Sequence, residues 1–119
     1  MNLRIVAIRE SGVLTKERVV LRADSPTDTG HYILLRVLLQ DGDPTTDVLG
    51  TFWFPDKPIK PGDLIVLYTK HGTPGEKSSG GGTAHFFYWG LSSPVWSENN
   101  VGATVLYAPE WITSAPNKE

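Results

Sequence analysis

The sequence predicts an all-β protein, an immunoglobulin-like antiparallel β-sandwich of about seven strands. Three observations carry this. Short runs of β-branched and aromatic residues recur along the chain, each bounded by Gly, Pro, Asp or Asn. Gly and Pro supply 21 of the 119 residues, a turn-rich mixture that argues against a helical bundle. No window joins a helical apolar period to helix start and stop signals.

The first run is Leu3–Arg9, closed by Ser11-Gly12, and the second is Arg18–Ala23, closed by Asp24-Ser25-Pro26. Within the second, Val19 and Leu21 share one face while Arg18, Val20 and Arg22 share the other, as in a strand buried on one side. The third, His31–Gln40, ends at Asp41-Gly42-Asp43-Pro44 and is apolar on both faces. Such a strand is expected at the centre of a sheet, covered by another layer, or at an interface. Gly50–Phe54 follows, with Phe52 and Phe54 on one face and Thr51 and Trp53 on the other, and stops at Pro55-Asp56. Lys60-Pro61-Gly62 introduces Leu64–Thr69. The Gly-rich stretch His71–Thr83 reads as a long mobile loop before the strand Thr83–Trp89. Asn99-Asn100 precedes the last strand, Ala103–Tyr107. A single domain is expected over residues 1–113, with a frayed polar tail at 114–119.

Hydrophobic residues make up 39 % and charged residues 20 %, the balance of a folded domain, and no stretch is apolar enough for a membrane span. Lys and Arg number 11 against 13 Asp and Glu, a net charge of −2 that argues against nucleic acid as a partner. The first 36 residues carry six basic and four acidic groups, and the remainder five and nine. The absence of cysteine excludes disulfides, thiolate metal sites and cysteine nucleophiles. The N-terminal residues lack the pattern of a signal peptide, so the chain is expected in the cytoplasm.

Motifs for chemistry are thin. Gly75-Glu76-Lys77-Ser78 brushes against a phosphate loop, but Glu76 separates the glycine from the lysine and no helix follows. His31, His71 and His85 lie far apart and lack the close spacing of zinc ligands. Asp41, Asp43 and Asp47 offer oxygens to a hard cation, yet Asp-Gly and Asp-Pro are also ordinary turn chemistry. Ser92-Ser93 lacks the Gly-x-Ser-x-Gly elbow. The expectation is a chain without catalytic residues, metal or cofactor, and so not an enzyme.

What the sequence does offer is aromatic and apolar. Phe86-Phe87-Tyr88-Trp89 sets rings on both faces of one strand, and Trp53, Trp96, Tyr107 and Trp111 add to them. These rings serve either the core or an exposed recognition platform. The candidate partner-binding residues are Leu34, Leu38, Phe87, Trp89, Trp53 and Trp96. The partner expected is a protein or a second copy of the chain, met in a homodimer or heteromer contact through Leu34, Leu38, Phe87 and Trp89. The alternative is a carbohydrate-binding sandwich using Trp53, Trp89, Trp96 or Trp111.

Two stretches together resemble the lamin-tail domain. Thr51-Phe52-Trp53-Phe54-Pro55, followed by Ile59-Lys60-Pro61-Gly62-Asp63 and the apolar run Leu64–Thr69, is similar to that family's Phe-x-Phe-Pro, Pro-Gly and strand. Tyr88-Trp89-Gly90-Leu91, Pro94-Val95-Trp96 and Gly102–Tyr107 are similar to its tryptophan, turn and closing strand. Ile5-Val6 and Glu17–Leu21 resemble its opening strands. Gly102-Ala103 stands where the family has Gly-Asp, and Gly30-His31-Tyr32 where it has an early Gly-Trp. The resemblance implies an immunoglobulin-like, non-catalytic module that binds proteins, nucleic acid or membrane-associated partners, and it brings no catalytic residues.

Overall fold

Ten strands and one 3-10 turn account for the regular structure of the described residues. The structure, a computed structural model, describes residues 1–117; the last two residues of the expected tail lie outside the described residues. The strands are β1 (Leu3–Arg9), β2 (Arg18–Ala23), β3 (Thr27–Asp28), β4 (Tyr32–Gln40), β5 (Asp43–Trp53), β6 (Pro58–Ile59), β7 (Leu64–Tyr68), β8 (Gly75–Ser79), β9 (Gly82–Tyr88) and β10 (Val101–Tyr107), with the 3-10 turn at Thr29–His31. A five-stranded sheet has the order β1-β2-β7-β9-β8, a three-stranded sheet the order β10-β4-β5, and β3 pairs with β6. The protein is an all-β sandwich. β4 is the middle strand of its sheet; its inward Tyr32 and Leu34 are fully buried, while its outward Ile33 and Leu35 are half-buried between the neighbouring strands.

The core forms where the inward faces of the sheets meet. Val19 and Leu21 of β2, Ile65 and Leu67 of β7 and Phe87 of β9 pack with Tyr32 and Leu34 of β4. Phe52 lies 5.1 Å from Phe54 and 6.1 Å from Trp89, Phe54 lies 5.3 Å from Phe87, and Trp89 lies 6.2 Å from Trp96. These mostly edge-on contacts favour the quadrupoles of the rings and join the sheets through an aromatic seam.

Three expectations change. The pair β7–β9 runs parallel, with Leu64 opposite Ala84 and Tyr68 opposite Tyr88, whereas every other pair is antiparallel. Part of the expected loop at His71–Thr83 is instead β8, which pairs antiparallel with β9 at the sheet edge. β5 begins seven residues before Gly50, because Asp41-Gly42 is not an irregular break but a two-residue hairpin turn. Both turn residues have positive φ (53° and 83°), as a twisted hairpin requires.

Two buried carboxylates fasten the loops. Glu17 accepts the Gly12, Val95 and Trp96 N–H groups and the Thr69 hydroxyl, so it ties the β1–β2 loop to the segment before β10. Asp63 accepts N–H groups of Lys60 and Thr83 and bonds His85 Nε2 at 3.0 Å. Burial pushes both carboxyls up, but these hydrogen bonds outweigh it and hold each below the usual carboxylate range.

Candidate functional site

The outer face of the three-stranded sheet carries the tryptophan that the sequence singles out and the core does not consume. Cross-strand pairing sets Trp53 of β5 beside Ile33 of β4, and Ile33 beside Leu106 of β10, so one apolar row crosses all three strands. Thr51, Leu35 and Thr104 form the next row on that face. Trp53 is 45 % exposed and Trp111 is 56 % exposed, and their rings meet edge to face at 5.0 Å and 89°.

Trp53 is held in place from below. Its Nε1–H donates to the Gly30 carbonyl at 2.9 Å. The 3-10 turn presents that carbonyl because Asp28 Oδ1 accepts the Gly30 N–H at 2.8 Å and the Lys57 N–H at 3.0 Å. The Thr29 hydroxyl donates to the Pro55 carbonyl at 2.6 Å, which fixes the end of β5 against the same turn. A Cβ at residue 30 would stand 1.7 Å from Asp56 Oδ1 and 3.1 Å from Asp56 Cα, so a larger residue there would require the exposed Asp56 side chain to move aside. An indole anchored in this way loses little side-chain freedom on contact with a partner.

The six candidate contact residues divide. Leu34, Phe87 and Trp96 are in the core, a correction to their reading as partner-binding residues. Strand alternation turns Leu34 and Phe87 toward the opposite sheet, and Trp96 packs under Trp89. Trp89 is half-buried, with its ring 3.2 Å from where a Cβ on Gly50 would lie. Leu38 is exposed near the β4–β5 hairpin end, away from the Trp53 row. Trp53 alone of the six lies in the exposed aromatic cluster. Tyr107 and Ile112, next to that cluster in sequence, are also exposed.

A polar cluster lies elsewhere. Lys57 Nζ pairs with Glu76 Oε2 at 2.6 Å, and the same oxygen stands 3.4 Å from His85 Nδ1. The Lys57 ammonium holds Glu76 below the usual carboxylate range. Asp63 on the other ring nitrogen joins His85 of β9 to the β6–β7 turn, while among the described residues Nδ1 is buried without a hydrogen-bond partner. Among the described residues no group of three or more His, Asp or Glu side chains is placed to hold a metal ion. No helix among them is long and apolar enough to cross a membrane. Gly75-Glu76-Lys77-Ser78 lies in β8, with its backbone extended along β9 and not wrapped as a phosphate cradle.

The five-stranded sheet presents a different outer face. Arg9 pairs across to Arg18, Arg18 to Tyr68 and Tyr68 to Tyr88, and Arg4 pairs to Arg22. Lys77 of β8 lies opposite Ala84 on this side. Together with Lys70, whose ammonium sits 4.9 Å over the Tyr68 ring, six of the eleven Lys and Arg residues gather here. The net charge of −2 therefore conceals a strong segregation of sign.

The chain matches no protein-family model and none of the curated proteins with which it was compared.

Proposed function

We propose that the chain is a non-catalytic binding module whose contact surface is the outer face of the three-stranded sheet. The Trp53–Trp111 pair over the row Trp53, Ile33 and Leu106 carries the reading. Rigid, partly exposed aromatics on an apolar surface are the usual anchors of protein–protein contacts. The resemblance to lamin-tail domains, immunoglobulin-like modules without catalytic residues, supports the same reading. A protein partner suits this surface better than a carbohydrate. The two rings stand at 89°, so they form a notch and not a shelf for a sugar ring, and the neighbours Ile33, Leu35 and Leu106 offer no side-chain hydrogen bonds.

A photoreactive residue at Thr51, on the same face, tests this in an extract of the source cells. The expected result is a discrete protein adduct that disappears when Trp53→Ala and Trp111→Ala are combined, with a melting temperature lowered by no more than about 5 °C. A hit on a glycan array, lost in the same variant, transfers the surface to carbohydrate. An adduct unchanged by the double substitution overturns the assignment of the surface.

A further inference from the structure

We propose that the protein associates head to tail with itself, the acidic end of the β4–β5 hairpin of one copy entering the basic groove on the five-stranded sheet of the next. The groove, about 380 Å³, is lined by the apolar Val6, Val20 and Phe86 and by the cations Arg9, Arg18 and Lys77. A β-bulge between Ile5 and Ala7 turns Val6 outward. Among the described residues Arg9, Arg18 and Lys77 make no salt bridge.

The hairpin end has the complementary chemistry. No Lys or Arg occurs between Arg36 and Lys57, whereas Asp41, Asp43 and Asp47 fall in that interval. These three are exposed and likewise make no salt bridge among the described residues. Leu38, Val48 and Leu49 are exposed beside them, so the tip is acidic and apolar at once. That combination matches a groove lined by both basic and apolar side chains.

A polynucleotide matches it less well. Tyr68 and Tyr88 stack on one another at 5.4 Å and 11°, Lys70 lies over Tyr68, and Gly72 presses on Tyr88. The Tyr68 and Tyr88 faces that bases would stack on are thus already occupied, which among the described residues leaves Phe86 as the one other ring in the groove. Tip and groove belong to different sheets, and the groove faces away from the other sheet. The contact therefore joins two unlike surfaces of separate molecules, an arrangement that continues into chains or closes into rings.

Sedimentation velocity of the full chain over a range of concentrations tests this. The expected result is concentration-dependent association that weakens as salt is raised from about 0.05 to 0.5 M, as screening shortens the reach of exposed charges. Asp43→Lys with Asp47→Lys, and separately Arg9→Glu with Lys77→Glu, should each weaken association at least about tenfold. Mixing the two charge-reversed proteins should restore it, because each then offers the other a complementary surface. Circular dichroism of each variant confirms that the strands persist. A wild type that stays monomeric, or a mixture that fails to associate although both variants are folded, overturns the proposal. So does a monomer that binds a labelled single-stranded oligonucleotide through Arg9 and Lys77, which gives the groove to a polynucleotide. Association abolished by Trp53→Ala but not by Asp43→Lys places the contact on the other sheet and overturns it equally.

Discussion

Replacing Glu17 by glutamine isolates what a buried carboxylate without a cation partner contributes. Glu17 is fully buried, and among the described residues it forms no salt bridge. Its Oε1 accepts from Gly12 N at 2.9 Å and Trp96 N at 3.2 Å, and its Oε2 from the Thr69 hydroxyl at 2.5 Å and Val95 N at 3.0 Å. Glutamine keeps the shape and one acceptor oxygen. With that oxygen on Gly12 and Trp96, the amide NH2 faces Thr69 and Val95. The Thr69 hydroxyl can turn and accept, but the Val95 N–H cannot and is orphaned. One buried unpaired N–H, with the remaining bonds reduced to neutral strength, costs about 2–4 kcal/mol, or on the order of 10 °C in melting temperature for a domain of this size. The pH dependence has a definite sign. A folded carboxyl held below its unfolded value stabilises the protein above the unfolded pKa, and this stabilisation is lost as pH falls through the folded pKa. Glutamine does not titrate there, so the gap between wild type and variant is widest near neutral pH and narrows below about pH 4. Urea unfolding followed by tryptophan fluorescence, at pH 7 and in steps down to pH 3, measures both effects. Equal stability at pH 7, or a gap that does not change with pH, refutes the reasoning.

Two further substitutions test the packing. Among the described residues the buried Trp96 indole N–H has no hydrogen-bond partner, so Trp96→Phe removes an orphan donor while opening a small void. It should cost less than about 1.5 kcal/mol where Trp96→Ala costs about 3–5, and urea melts that find the two equally costly show that the N–H is satisfied. A Cβ at Gly72 would stand 2.3 Å from the Tyr88 ring, which cannot swing away because it stacks on Tyr68. Gly72→Ala should therefore cost about 1–3 kcal/mol, whereas Gly75→Ala, facing open space, should change thermal stability by less than about 0.5 kcal/mol.

The strands whose side chains alternate between core and solvent were legible in the sequence. Leu3–Arg9 and Arg18–Ala23 match β1 and β2 in both bounds, and Val19 and Leu21 point inward while Arg18, Val20 and Arg22 point outward. β8 was not legible, because Gly75-Glu76-Lys77-Ser78-Ser79 is exposed at every position and carries no apolar alternation; its partner β9 imposes its extended form. The first half of β5 is hidden for the same reason, since Asp43, Pro44, Thr46 and Asp47 are exposed on an edge strand. Two-residue pairings such as β3 with β6 are shorter than any periodic signal. At the surface, Trp53 opposite Phe52 and Phe54 was readable, but Trp111 joins it through a tertiary contact that no spacing announces. The basic groove draws Arg9, Arg18 and Lys77 from three strands, so the excess of cations in the first 36 residues was its one visible trace.

The parallel alignment of β7 and β9 also sets local against long-range contacts within one sheet. β8 and β9 are joined by Gly80-Gly81, both with positive φ, and such a hairpin closes in about 1–10 μs from contacts close in sequence. No short turn can place β9 alongside β7 in the same direction; residues 69–81 have to travel back along the sheet first. Contact between β9 and β7 therefore closes a longer loop than contact between β8 and β9. That longer closure is what makes Leu67 and Phe87 neighbours and brings Phe87 into the aromatic seam. In the reverse direction β8, which buries no side chain and is held by a single neighbour, is the first strand to let go.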